Sequence, residues 1–202
     1  MTTIAAAVPC FAKGTRILTL AGEVAVEDLC IGDRVMTHDQ RSLPIVWLGR
    51  RRVNCRHHPN PRTVWPVRIA AGAFGPCCPG RDLFLSPDHA VFIDDVLIPV
   101  KHLINGCTIA QVPTDAVTYY HVELPAHDVL LAEGLPAESY LDTGDRSNFA
   151  NGGGSVTLHP NFSQLTWEAS GCAPLVVTGP ALNSIRARLD TLAKPTFNRI
   201  LA

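Results

Sequence analysis

The sequence predicts an all-β chain of two related halves followed by a C-terminal helical extension. Three observations predict it. Short runs rich in Val, Ile, Leu and aromatic residues recur from Arg16 to Ala132, punctuated by Gly, Pro, Asn and Asp. The run Thr15 to Val35 lies without a gap on His89 to Ile109, a shift of 74 residues. Sixteen prolines and fifteen glycines in 202 residues leave little room for long helices before residue 180.

Taken in order, strands are expected over Arg16–Leu20, Val24–Val26, Asp33–Thr37, Ile45–Leu48, Val64–Ala70, His89–Ile93, Val96–Val100, Tyr119–Leu124 and Val129–Ala132. In the repeat, Ile17 falls on Val91, Val24 on Ile98, Val26 on Val100, Leu29 on Leu103, Gly32 on Gly106 and Val35 on Ile109. Each copy reads strand, turn, strand, x-x-Leu-x-x-Gly and a further strand, and a shorter echo runs from His127 to Leu135. Two β-subdomains related by a pseudo-two-fold axis follow from that pattern. Asn151-Gly152-Gly153-Gly154-Ser155 reads as a linker. Pro180 to Lys194 reads as a helix, with Pro180 in its first turn, a stripe of Leu182, Ile185, Leu189 and Leu192, and Pro195 as its stop. The organisation expected is a flank over 1–9, a main domain over 10–147, and a linker and extension over 148–202 with its helix at about 180–194.

Composition narrows the function. A net charge of −1 gives no electrostatic case for nucleic acid or a membrane surface. The run Arg50-Arg51-Arg52 reads as a solvated face or turn. No apolar run approaches the ~20 residues that span a bilayer. The first nine residues lack the basic start and apolar core of a signal peptide. A monomer in the cytoplasm is the expectation, with secretion by a non-classical route left open. Seven cysteines, an odd number, read as reduced thiols.

Two segments carry chemistry. Cys10-Phe11-Ala12-Lys13-Gly14-Thr15-Arg16-Ile17 places a thiol just before the first strand. Leu85-Ser86-Pro87-Asp88-His89-Ala90-Val91-Phe92 places a hydroxyl and an imidazole three residues apart before another. A thiol that attacks a carbonyl needs a group to polarise that carbonyl and one to protonate the leaving nitrogen. Together the segments point to attack on the chain's own Pro9–Cys10 bond. The other readings are a buried structural thiol for Cys10, a backbone-bonded strand-end imidazole for His89 and an ordinary turn for Ser86.

With Gly32-Asp33-Arg34-Val35, Tyr120-His121-Val122-Glu123-Leu124 and His127-Asp128-Val129-Leu130-Leu131-Ala132-Glu133-Gly134 added, the chain resembles the Hedgehog/intein (Hint) domain family, in particular its bacterial branch, over roughly residues 10 to 145. Ser86 stands where the family's Thr-x-x-His block has Thr. The resemblance implies an all-β horseshoe of two related halves that processes itself in a single turnover without a cofactor. Cys10 then attacks the Pro9 carbonyl in an N-to-S acyl shift to a thioester, and His89 protonates the departing Cys10 nitrogen. Ser86 bonds the scissile carbonyl or orients His89. His121 falls where inteins often carry an assisting Asp or Cys, and is either a base for the thiol or a cross-strand surface histidine. Ser139 falls near the place of a further Cys in the Hedgehog branch, as a weaker support group or with no role.

The substrate is the N-terminal flank, and water or a small nucleophile resolves the thioester. The chain has no His-Asn pair followed by Cys, Ser or Thr, so cleavage without splicing is expected. The Pro9 ring constrains the attacked carbonyl. Two other classes remain open. Cys55, His57, His58, Cys77 and Cys78 supply donors for a zinc site in a module that has lost catalysis and serves binding or structure, although adjacent ligand pairs chelate poorly. Cys10 with His89 or His121 would also suit a cysteine hydrolase acting in trans.

Overall fold

Fourteen strands and two helices make up the described residues (8–144, 146–152 and 162–194) of this computed structural model. In chain order the strands are β1 (Phe11–Ala12), β2 (Arg16–Thr19), β3 (Gly22–Ala25), β4 (Arg34–Met36), β5 (Ser42–Pro44), β6 (Trp47–Asn54), β7 (Val67–Ile69), β8 (Leu83–Leu85), β9 (Ala90–Ile93), β10 (Val96–Pro99), β11 (Ile109–Gln111), β12 (Ala116–Glu123), β13 (Val129–Ala132) and β14 (Leu135–Glu138). The helices are α1 (Phe162–Ser170) and α2 (Pro180–Ala193).

The sequence repeat is a structural repeat. β2, β3 and the 3-10 turn Val26–Asp28 return as β9, β10 and the 3-10 turn Val100–Leu103. Arg16 pairs with Ala25 in the first copy, as Ala90 pairs with Pro99 in the second. The Val26 amide donates to the Thr15 carbonyl at 2.8 Å, and the Val100 amide to that of His89 at 2.9 Å. Gly32 and Gly106, matched in the repeat, both hold positive φ, at 96° and 75°. An L side chain is strained there, which is why both copies keep Leu-x-x-Gly.

The hairpin of β13 and β14 joins the copies. β13 pairs with β2 at Ala132–Ile17, and β14 pairs with β9 at Ala137–Val91. One sheet therefore runs β10-β9-β14-β13-β2-β4-β5, with β3 on β2. The other runs β11-β7-β8-β1-β12-β6. Two buried carboxylates echo the pseudo-symmetry: Arg16 N–H donates to Glu133 Oε1 at 2.7 Å, and Ala90 N–H to Glu138 Oε1 at 2.6 Å.

Several expectations need correction. β1, β5, β8 and β14 were not foreseen, and β6 runs through Arg50–Arg52, where Arg50 and Arg52 are exposed, so that of the two readings of this run the solvated face holds and the turn does not. Helix α1 was also unforeseen. Leu182, Ile185 and Leu189 of α2 join the core shared by both halves, whereas Leu192 is 47% exposed. Of the expected linker, Asn151 is fastened to β6: Arg50 N–H donates to its Oδ1 at 3.1 Å, and its Nδ2 donates to the Leu48 carbonyl at 2.8 Å. Residues 153–155, and 1–7 of the flank, lie outside the described residues. Among the described residues no helix is long and apolar enough to cross a membrane.

A second apolar cluster gathers Val8, Cys10, Ala12, Val53, Cys55, Tyr119, Tyr140 and Phe149. Its edge depends on Gly49. A Cβ there would lie 2.4 Å from the Trp47 ring and 2.7 Å from that of Phe149. Both rings pack on Tyr140, which in turn packs edge-on against His121. Gly49→Ala is expected to destabilise the fold by about 1–3 kcal/mol, read as a lower urea midpoint at unchanged m-value.

Candidate active site

Strand pairing assembles the site. β1 is only two residues long, but Phe11 pairs with Leu85 of β8 on one side and with Tyr120 of β12 on the other. The residue before Phe11 is Cys10, the residue after Leu85 is Ser86, and the residue after Tyr120 is His121. The turn after Ser86 closes with the His89 amide donating to the Ser86 carbonyl at 3.1 Å, and brings His89 onto Phe11 with ring centroids 4.2 Å apart. The His121 ring lies 5.0 Å from that of His89. The four residues proposed from sequence, Cys10, Ser86, His89 and His121, thus gather around one short strand, all buried.

Ser86 brackets the bond under consideration. The Cys10 amide donates to Ser86 Oγ at 2.7 Å, and Ser86 Oγ donates to the Val8 carbonyl at 2.9 Å. The Ser86 amide donates to the Cys10 carbonyl at 2.9 Å. One side chain therefore fixes the backbone on both sides of Pro9. The hydroxyl gives its proton to Val8, not to the Pro9 carbonyl or to His89 as the sequence reading had it. Ser86→Ala leaves a buried donor and a buried acceptor without their partner, and is expected to cost about 1–3 kcal/mol. Ser86→Thr keeps the hydroxyl and should retain most of that stability in the same urea titration.

His89 is fully buried, with its ring against the backbone of Glu138 and Cys10. Burial lowers its pKa to about 3, although the backbone of Glu138 and Cys10 pulls upward. It is a neutral imidazole at physiological pH. Burial, with His89 and His127 nearby, also drives His121 well below the usual histidine value, and its Nδ1 has no partner. The thiol faces a cavity of about 10 Å³, enough for one water. Arg51 and Tyr119 share that cavity with Cys10, Val8 and Ser86. The Tyr119 hydroxyl donates to the Val64 carbonyl at 2.8 Å. Its pKa is raised, first by burial and then by the Cys10 and Cys55 thiols.

Ser139 is buried and structural: its Oγ accepts the Asp128 amide at 2.9 Å, and its own amide donates to the Asp128 carbonyl at 2.8 Å. The sequence reading missed Glu138 and Arg51 as neighbours of the site. No local motif signals either, since long-range pairing alone brings them there.

The five residues weighed as zinc ligands are not brought together. Cys55 is buried. His57 and His58 turn Nδ1 toward Asn54 Oδ1 (3.1 Å) and the Asn60 carbonyl (2.8 Å). Cys78 lies 4.0 Å from the Gly134 carbonyl. Among the described residues no three His, Cys, Asp or Glu side chains converge to hold a metal ion.

With the fold and this geometry in view, the sequence profile of the Hint domain matches residues 9–144, and the chain belongs to the Hint-domain family. Its fold is the all-β horseshoe of two related halves, carrying a C-terminal helical extension, and that class of domain is of the autoprocessing type. The chain is similar to the crystal structure of the MchDnaB-1 intein, at 15% identity over 63% of this chain and 98% of that one, with a TM-score of 0.46. It is also similar to the solution structure of a bacterial intein-like domain from Clostridium thermocellum (16% identity, 65% and 97%, TM-score 0.47). A third is the DnaB intein from Synechocystis sp. PCC 6803 (10% identity, 65% and 99%, TM-score 0.46). No curated protein sequence matches the chain.

Proposed function

We propose that this chain cleaves its own backbone at Pro9–Cys10 through an N-to-S acyl shift, without splicing. The observation that carries the reading is the hydroxyl of Ser86 holding both the Val8 carbonyl and the Cys10 amide, beside a buried, neutral His89.

A neutral imidazole serves as a proton shuttle. His89 takes the thiol proton of Cys10, and Sγ attacks the Pro9 carbonyl carbon. The tetrahedral adduct collapses, the Pro9–Cys10 C–N bond breaks, and His89 passes the same proton to the Cys10 nitrogen. The products are a thioester on Cys10 Sγ and a free amine on the same residue. Ser86 Oγ accepts an N–H of that nitrogen throughout, so the nitrogen need not move as it becomes an amine. His121 is the second neutral base at the site. Water or a small thiol then attacks the thioester carbonyl, the C–S bond breaks, and the sulfur leaves and is reprotonated. The cavity beside the thiol has room for about one water, which favours persistence of the thioester until a nucleophile enters.

Neutral hydroxylamine tests this. The full chain should release residues 1–9 as a hydroxamate, leaving a product that begins at Cys10, and Cys10→Ala should release nothing. Equal release from both proteins would refute the thioester. No release from either would mark a Hint fold that has lost the reaction.

A further inference from the structure

We propose that Arg51 supplies the positive charge that holds the Cys10 sulfur as a thiolate, the form that attacks Pro9. The proposal rests on the acyl-shift reading above and names a further residue of that site.

Strand β6 alternates between two faces. Gly49 and Val53 are buried and Arg51 is half-buried, whereas Arg50, Arg52 and Asn54 are exposed. Residues two positions apart on a strand share a face. Arg51 is therefore turned to the side where Val53 packs with Cys10, Ala12 and Tyr119. The ladder sets its place along that face: Arg51 pairs with Tyr119 of β12, and Tyr119 pairs with Ala12 of β1, two residues past Cys10.

Arg51 and Cys10 then line the same cavity of about 10 Å³. Arg51 is the one charged residue in its wall; the rest are three valines, Thr63, Ser86, Tyr119 and Cys10 itself. Room for about one water leaves little solvent to screen the guanidinium from the sulfur. Tyr119 senses both groups. Burial raises its pKa most, Cys10 adds to the rise, and Arg51 draws it back. Arg51 is also uncommitted: Arg41, Arg68, Arg81, Arg146 and Arg188 each reach a carboxylate, and Arg51 reaches none among the described residues.

The acyl shift needs such a group. His89, with a pKa of about 3, is a weak base, and the thiol proton passes to it only if the thiolate left behind is stabilised. The other titratable groups packed around Cys10 are Tyr119, Tyr140 and Cys55 of its cluster, with His121 beside the His89 ring. None of them is a cation at neutral pH, since burial keeps both imidazoles neutral. A fixed guanidinium at the cavity wall lowers the cost of the thiolate, as nearby cations do for reactive cysteines generally. When Sγ bonds the Pro9 carbonyl carbon, the negative charge moves to the carbonyl oxygen. It is neutralised as the C–N bond breaks and His89 returns the proton to nitrogen. Arg51 gives up no proton at any step.

The test follows Cys10 in the full chain by carbon-13 NMR with Cβ-labelled cysteine, its signal assigned by its loss in Cys10→Ala. A His89→Gln background keeps the Pro9–Cys10 bond whole during the titration. There, Arg51→Gln should raise the titration midpoint of Cys10 by about one pH unit or more, and Arg51→Lys should keep it near the parent value. Arg52→Gln, on the exposed face, should leave it in place. With His89 restored, Arg51→Gln should slow hydroxylamine release of the flank about tenfold or more, and Arg51→Lys should recover part of that loss. A midpoint unmoved in folded Arg51→Gln would overturn the proposal, and so would an equal shift in Arg52→Gln. A midpoint that moves as stated while no protein releases its flank would uphold the charge role of Arg51 and refute the acyl shift instead.

Discussion

Replacing His89 by glutamine is expected to slow release of the N-terminal flank by about 10²–10⁴-fold, the usual contribution of a positioned acid–base group. The acyl shift moves one proton from sulfur to nitrogen on a single residue. A buried site has no bulk water to carry it, and the ring packed on Phe11 is the group on hand to do so. Glutamine fills similar space and offers hydrogen bonds, but it does not take up a proton at neutral pH. The loss should appear in the rate and not in folding, so the variant is compared by circular dichroism and by timed mass spectra of the same sample. His121→Gln distinguishes the two imidazoles: a smaller loss there assigns the shuttle to His89. A folded His89→Gln protein that cleaves at the parent rate would remove His89 from the chemistry.

Acid is expected to destabilise this fold well above the range in which carboxylates titrate. His89 has a folded pKa of about 3 against an ordinary 6.5, from burial, and His121 is displaced in the same direction. Between those values the unfolded chain binds protons that the folded chain refuses. The contribution of each is complete above pH 6.5 and is lost as pH falls toward 3. The slope within that window is about 1.4 kcal/mol per pH unit for each such histidine. His127 runs the other way: against burial, Cys172 and Glu138 raise it to about 9, so its contribution is full below 6.5 and fades as pH climbs through 9. Stability should therefore peak near neutrality. Urea midpoints at pH 7, 6 and 5 should fall steadily in the parent and less steeply in His89→Gln. A flat profile in the parent would contradict the burial of two neutral imidazoles.

The repeat was legible because both copies rest on local rules. Period-2 apolar runs give the hairpins, and the positive φ of Gly32 and Gly106 fixes the same turn in each. Cys10, Ser86, His89 and His121 were legible from the residues and their resemblance to a family. What Ser86 does was not, because a hydroxyl three residues before an imidazole can point several ways. Its partners, Val8 and Cys10, are set by pairing of β1 with β8 across 76 positions of sequence. β1 itself has two residues, too few to show a period. Arg50–Arg52 hid part of β6 because charge reads as turn. In the structure Arg50 and Arg51 lie opposite Tyr120 and Tyr119 in the ladder of β6 and β12. Leu192 fits the periodicity of α2, yet the apolar core it would join ends a turn earlier, at Leu189. Glu138, His127 and Cys172 come from three separate segments, and no spacing in the sequence announces their meeting.

The central claim is a thioester at Cys10, and the most direct measurement is the intact mass of a fusion. A stable reporter takes the place of residues 1–8 ahead of Pro9–Cys10, and the protein is held at neutral pH with and without dithiothreitol, beside Cys10→Ala. The account predicts that dithiothreitol accelerates release of the reporter, that the remaining fragment begins at Cys10, and that Cys10→Ala stays intact. A fusion that remains whole for days with the thiol present, while its Hint domain is folded, would contradict it.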